Sequence, residues 1–191
     1  RLQGDWSSDV CSSDLFGSYS WTVTDANGCT QSGSERVDEP RELEATDEHS
    51  DVKCNGGSDG SVSISITGGT APYSVSFNGG EATIQSSPAV YNNLSAGSYN
   101  WLVTDANGCS KSGSEEVGQP TPLVASDDHA DVKCNGGSDG SVTVSFDGGT
   151  SPYTVSFDGA DATIRTSPVL FAGLSAGSHN WTVTDANGCI Q

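Results

Sequence analysis

The sequence predicts an all-β chain built from tandem antiparallel β-sandwich modules of about 80 residues each. Three observations carry this. Trp-x-Val-Thr-Asp-Ala-Asn-Gly-Cys occurs at 21–29, 101–109 and 181–189, and Asp-Val-Lys-Cys-Asn-Gly-Gly-Ser-Asp-Gly-Ser-Val occurs at 51–62 and 131–142, always 80 positions apart. Segments 51–110 and 131–190 are identical at 41 of 60 positions, so the chain is an array of one module. Finally, short runs of alternating apolar and polar residues are separated by turn signals about every ten residues, with no helical periodicity.

Residues 41–120 form the complete copy. Its first strand is predicted over 43–54, ending in Asn55-Gly-Gly-Ser-Asp-Gly60, a turn-forming run. Segment 61–66 alternates strictly, with Val62, Ile64 and Ile66 facing inward and serines outward. Gly68-Gly-Thr-Ala-Pro72 connects to 73–77, where Tyr73, Val75 and Phe77 share a face. Asn78-Gly-Gly80 turns the chain into a weaker strand over 82–90. Leu94-Ser-Ala-Gly97 leads into 99–103, with Tyr99, Trp101 and Val103 on one face. Asp105-Ala-Asn-Gly108 is a hairpin turn, and a last strand runs over 109–117. Pro120 and Pro122 mark the boundary with the next copy. Six or seven short strands of this kind pack as two face-to-face sheets.

The array is expected to be cut at both ends. Residues 16–40 hold the last two strands of a copy, and 121–191 form a copy that stops before its last strand. Residues 1–15 have no counterpart in the repeat and resemble a translated sequencing adapter joined to a gene fragment, so Trp6 and Cys11 are assigned no role.

Seven Lys plus Arg against 25 Asp plus Glu give a formal charge of −18. That excludes a basic footprint for nucleic acid. It also opposes contact with an anionic membrane, and no apolar run reaches the roughly 18 residues of a membrane span. The acidity favours cations as partners.

Cys29, Cys54, Cys109, Cys134 and Cys189 all sit at repeated positions, without the spacing of a zinc site. They read as structural disulfides of an oxidising compartment. Two pairings fit: Cys54 with Cys109 and Cys134 with Cys189 inside a copy, or Cys29 with Cys54 and Cys109 with Cys134 across junctions. The first keeps both partners in one folding unit and is the expectation. Closing such a loop would add about 4 kcal/mol in the loop-entropy description.

Candidate ligand residues fall in two recurring groups. Asp47, Glu48, His49 and Asp51 recur as Asp127, Asp128, His129 and Asp131. Carboxylates around an imidazole suit calcium or a transition metal. The competing reading is a solvated, charged edge strand, which the alternation of side chains between faces favours. Asp105 and Asp185, with Asn107 and Asn187, could serve calcium at a module end, but Asp-x-Asn-Gly is also ordinary hairpin chemistry. Trp21, Trp101 and Trp181 could offer a sugar-stacking platform; their place beside an inward Val reads as core. No nucleophile elbow, phosphate loop or recurring Ser-His-Asp set is present, so no catalytic residue is assigned. Asn93-Leu-Ser95 matches a glycosylation sequon, which Gly173 interrupts in the next copy.

Cys54-Asn-Gly-Gly-Ser-Asp-Gly60, Gly68-Gly-Thr-Ala-Pro-Tyr73, Leu94-Ser-Ala-Gly97 and Val103-Thr-Asp-Ala-Asn-Gly-Cys109, in this order and spacing, resemble the SprB-type repeat of large Bacteroidetes cell-surface adhesins. The resemblance covers 17–191 and departs where Phe77 and Phe157 stand for an expected Trp. It implies an immunoglobulin-like sandwich, a place on the bacterial cell surface and a role in adhesion or gliding motility without catalysis. The partners implied are surface glycans or other extracellular ligands and neighbouring repeats of the same chain, with no nucleic acid and no membrane insertion. The alternative is a carbohydrate-binding or calcium-dependent accessory array of a secreted multidomain enzyme.

Overall fold

A computed structural model describes residues 16–191; the expectation for residues 1–15 lies outside it. All regular structure among the described residues is β. The chain divides into two compact units. Among the described residues, one comprises 16–48 with Ser63–Val90 and Tyr99–Glu115; the other comprises His49–Val62, Tyr91–Ser98 and Glu116–Gln191.

Along the chain, β1 (Gly17–Thr24) and β2 (Thr30–Val37) form a two-stranded antiparallel sheet with Trp21 opposite Gly33. Seven further strands follow: β3 (Glu44–Ser50), β4 (Gly60–Thr67), β5 (Tyr73–Phe77), β6 (Thr83–Gln85), β7 (Ala89–Leu94), β8 (Gly97–Thr104) and β9 (Ser110–Val117). They order as β3-β4-β7 and β6-β5-β8-β9. The strict alternation read over 61–66 is seen in β4, which buries Gly60, Val62, Ile64 and Ile66 in turn. Tyr73–Phe77 is a strand with the expected bounds, and Val75 lies opposite Val103 in the β5–β8 ladder.

Two strand expectations are corrected. The first strand ends at Ser50, ahead of the Cys54 turn. The single weak strand over 82–90 is two strands, β6 and β7, which belong to different sheets. Pro88 separates them, since it has no N–H for a ladder. The hydroxyl of Ser87 accepts the Ile66 N–H at 2.8 Å, so the crossing leaves that donor satisfied.

In the last copy, β10 (Val124–Ala130), β11 (Gly140–Asp147) and β14 (Val169–Leu174) form one antiparallel sheet. β12 (Tyr153–Phe157), β13 (Thr163–Arg165) and β15 (Trp181–Thr184) form the other, in the order β13-β12-β15. Val142, Val144, Phe146, Val155 and Val183 make its buried core, with Leu123, Val169, Phe171, Leu174 and Trp181 packed against it. Val169–Leu174 contains Gly173 at φ +77°, where the earlier copy has Asn93 at φ +59°. The position demands a left-handed backbone, which Gly and Asn tolerate best, and this explains the Asn-to-Gly exchange at the sequon.

The core reading of the tryptophans holds for Trp101, which is 5% exposed, and fails for Trp21, which is 46% exposed. A two-stranded sheet brings no facing layer of its own to cover an indole. Trp101 has a further requirement. A Cβ on Gly113 would lie 2.3 Å from the indole, so only glycine lets the ring settle across β9. Gly33 stands in the same relation to Trp21, at 2.5 Å. We expect Gly113→Ala to lower stability by about 1–3 kcal/mol through overpacking, read as a lower denaturation midpoint with Trp fluorescence. An unchanged midpoint would show that the indole can move aside.

Candidate functional site

The Asp-Ala-Asn-Gly-Cys turns are built on a buried carboxylate. Oδ1 of Asp185 accepts the N–H groups of Asn187 and Cys189, both at 2.9 Å. Its Oδ2 accepts the Thr150 N–H at 2.8 Å. Asp105 does the same with Asn107, Cys109 and Thr70. The Gly-Gly-Thr motif makes this approach possible. Gly149 has φ +62°, and a Cβ there would sit 2.8 Å from Oδ2 of Asp185. Burial works against ionisation of Asp185, but the amides of Cys189, Thr150, Asn187 and Gly188 outweigh it and hold the carboxyl below its ordinary value.

The turn then meets a loop. Asn187 uses both amide hydrogens: Nδ2 donates to Thr150 Oγ1 at 3.0 Å and to the Lys53 carbonyl at 2.9 Å. Cys189 is disulfide-bonded to Cys54, across 135 positions of sequence. The loop is braced from its other side, where Asn55 Nδ2 donates to the Pro120 carbonyl at 2.9 Å and the Gly56 N–H reaches Gln119 Oε1 at 2.8 Å. Inside the loop, the Gly57 N–H bonds to the Cys54 carbonyl and Asp59 accepts the Lys53 N–H.

Both expected disulfide pairings are thereby corrected. Cys54 is bonded to Cys189 and not to Cys109, which is itself disulfide-bonded; Cys134 and Cys29 are free and exposed. The reason is geometric. The turn that carries a cysteine lies against the loop of the preceding copy in the 53–57 and 185–189 pair, so the bond spans two copies. Sequence reasoning read Asn187 as a calcium or turn residue and missed its bond to the Lys53 carbonyl.

The recurring acidic group does not act as one cluster. Asp47 accepts the indole N–H of Trp101 at 2.7 Å. Asp51 accepts the Gly118 N–H and lies 3.4 Å from His49 Nε2. In the next copy, Asp127, His129 and Asp131 line a cleft of about 500 Å³ with Val142, Leu174 and His179, and His129 is 3.8 Å from Asp131. Among the described residues, no three His, Cys, Asp or Glu converge as a metal centre.

His179 takes the place of Tyr99 and keeps its stacking. Tyr99 lies on Phe77 with ring centroids 5.6 Å apart; His179 lies on Phe157 at 5.7 Å. Its Nδ1 is 2.6 Å from Asp158 Oδ2, and that hydrogen bond, with a second to the Ser175 carbonyl, raises the imidazole above its ordinary value.

The carboxylate clamp predicts a pH dependence. A carboxyl depressed in the folded state stabilises above its unfolded value of 3.8, and the contribution is lost as pH falls through the folded value. Asp185→Ala should cost about 1.5–3 kcal/mol at neutral pH, the worth of hydrogen bonds to a charged group. Denaturant titrations of both proteins should converge as pH drops below about 4. A gap that stays constant to strongly acid pH would contradict the clamp.

Residues 46–82 and 126–164 each match the family model described as the SprB repeat, one match in each of the two long copies. No curated protein matches the chain. The SprB repeat suggests a cell-surface repeat protein. The two matches lie 80 residues apart, in register with the period of the sequence, so the repeated segment of each copy is similar to the SprB repeat.

Proposed function

We propose that this chain is part of an extracellular adhesive stalk on a bacterial surface, working by reach and by many weak contacts and not by chemistry. The observation that supports this most is the Cys54–Cys189 bond, which ties one copy to the next. A disulfide of this kind persists in oxidising surroundings. Under tension it withholds the enclosed residues from extension. A net charge of −18 keeps the array soluble and separate from its neighbours. The 80-residue copy is the folding unit in this reading, and surface glycans are the ligand class, with calcium at most a weak contributor.

A glycan array tests it, probed with the monomeric chain and with the chain displayed densely on beads. Display should raise retention by roughly a hundredfold or more, as multivalent binding does. Tight binding of one glycan by the monomer would instead favour a carbohydrate-binding accessory array of a secreted enzyme.

A further inference from the structure

The two free, exposed cysteines repeat the two halves of the Cys54–Cys189 bond. Cys189 is presented by the 185–189 turn, in which the Asp185 N–H bonds to the Cys189 carbonyl at 3.0 Å and the Gly188 N–H to the Asp185 carbonyl at 3.1 Å. The 25–29 turn has the same sequence and the same bonds, at 3.0 Å and 3.1 Å, and Asp25 Oδ1 accepts the Asn27 and Cys29 N–H groups. Cys54 is presented by a loop in which the Gly57 N–H reaches the Cys54 carbonyl at 2.9 Å and Asp59 accepts the Lys53 N–H at 3.1 Å. The 133–137 loop repeats it: Gly137 to Cys134 at 2.9 Å, and Asp139 to Lys133 at 3.1 Å. The bonds within the turn and within the loop are thus already made, and both thiols are free.

We propose that the 133–137 loop of one molecule accepts the 25–29 turn of a second copy of this chain, with the Asn27 amide on the Lys133 carbonyl, and that Cys134 and Cys29 then join covalently. The link is directional, because a loop takes a turn and neither takes its own kind. Repeated, it yields linear head-to-tail chains. The oxidant is a small-molecule disulfide such as oxidised glutathione. One protein thiolate attacks it and forms a mixed disulfide, releasing one glutathione thiol. The second protein thiolate attacks the mixed disulfide at the protein sulfur, forming Cys29–Cys134 and releasing the other. Two thiols are oxidised and one glutathione disulfide is reduced to two thiols, so atoms and electrons balance. Each molecule carries −18, so encounter is opposed by repulsion and should accelerate with salt.

The full chain, incubated in a glutathione redox buffer, tests this on non-reducing gels and by mapping of cross-linked peptides. We expect a ladder of multimers whose new linkage is Cys29 to Cys134. Neither Cys29→Ser nor Cys134→Ser alone should give a ladder, and an equimolar mixture of the two should give a heterodimer. Asn27→Ala should slow the cross-linking roughly fivefold, the worth of one hydrogen bond, without changing the linkage. Ladders joined Cys29 to Cys29 or Cys134 to Cys134, a monomer closed by its own Cys29 and Cys134, or no multimer at all would each overturn the proposal. Failure here would leave the glycan-binding result untouched, so the two readings fail separately.

Discussion

The carboxylate of Asp185 is the interaction on which the junction depends. An ionised group 5% exposed is costly unless every lone pair has a donor. Here the donors are backbone amides from two different turns, Thr150 on one side and Asn187 and Cys189 on the other. Satisfying the charge therefore fixes the shape of the Cys-bearing turn and docks it against the Gly-Gly-Thr turn. Once the turn is held, the Asn187 amide and the Cys189 sulfur point at the 53–57 loop without further ordering. The bond to Cys54 follows from a geometry already established by hydrogen bonds.

The same logic explains why the motifs recur together. Asp without Gly149 could not approach Thr150, because a side chain would meet Oδ2 at 2.8 Å. Trp101 without Gly113 could not lie flat on its neighbouring strand, and without Asp47 its buried indole N–H would lack an acceptor. The residues that look like candidate ligands in the sequence are thus partly occupied in holding strands and turns. In the proposed adhesive role, what the array would offer to a ligand is repetition along a tied chain.

Much of this is legible in the sequence. The alternation in 61–66, the bounds of Tyr73–Phe77 and the Asp-x-Asn-Gly turn all follow from local chemistry, since period-two patterning and turn residues act over a few positions. The partner of Cys54 is not legible there. Separations of 25, 55 or 135 residues, to Cys29, Cys109 or Cys189, all preserve the repeat, and nothing local distinguishes them. The sheet crossing at Pro88 is hidden for a related reason: a strand's sheet is decided by its neighbours, not by its own pattern. Trp21 shows the same limit, because one sequence motif is buried in one copy and half exposed in another.

Single-molecule extension tests the tie between copies most directly. A Cys109→Ser chain, which removes the separate bond at Cys109, and the same chain also carrying Cys54→Ser and Cys189→Ser would be pulled from their ends under oxidising conditions. The bond encloses 135 positions, which fully extended span about 450 Å. The account predicts that the triple variant reaches a final length greater by about that amount. Equal final lengths, or a gain of only about 180 Å as pairing of Cys134 with Cys189 would give, would contradict it.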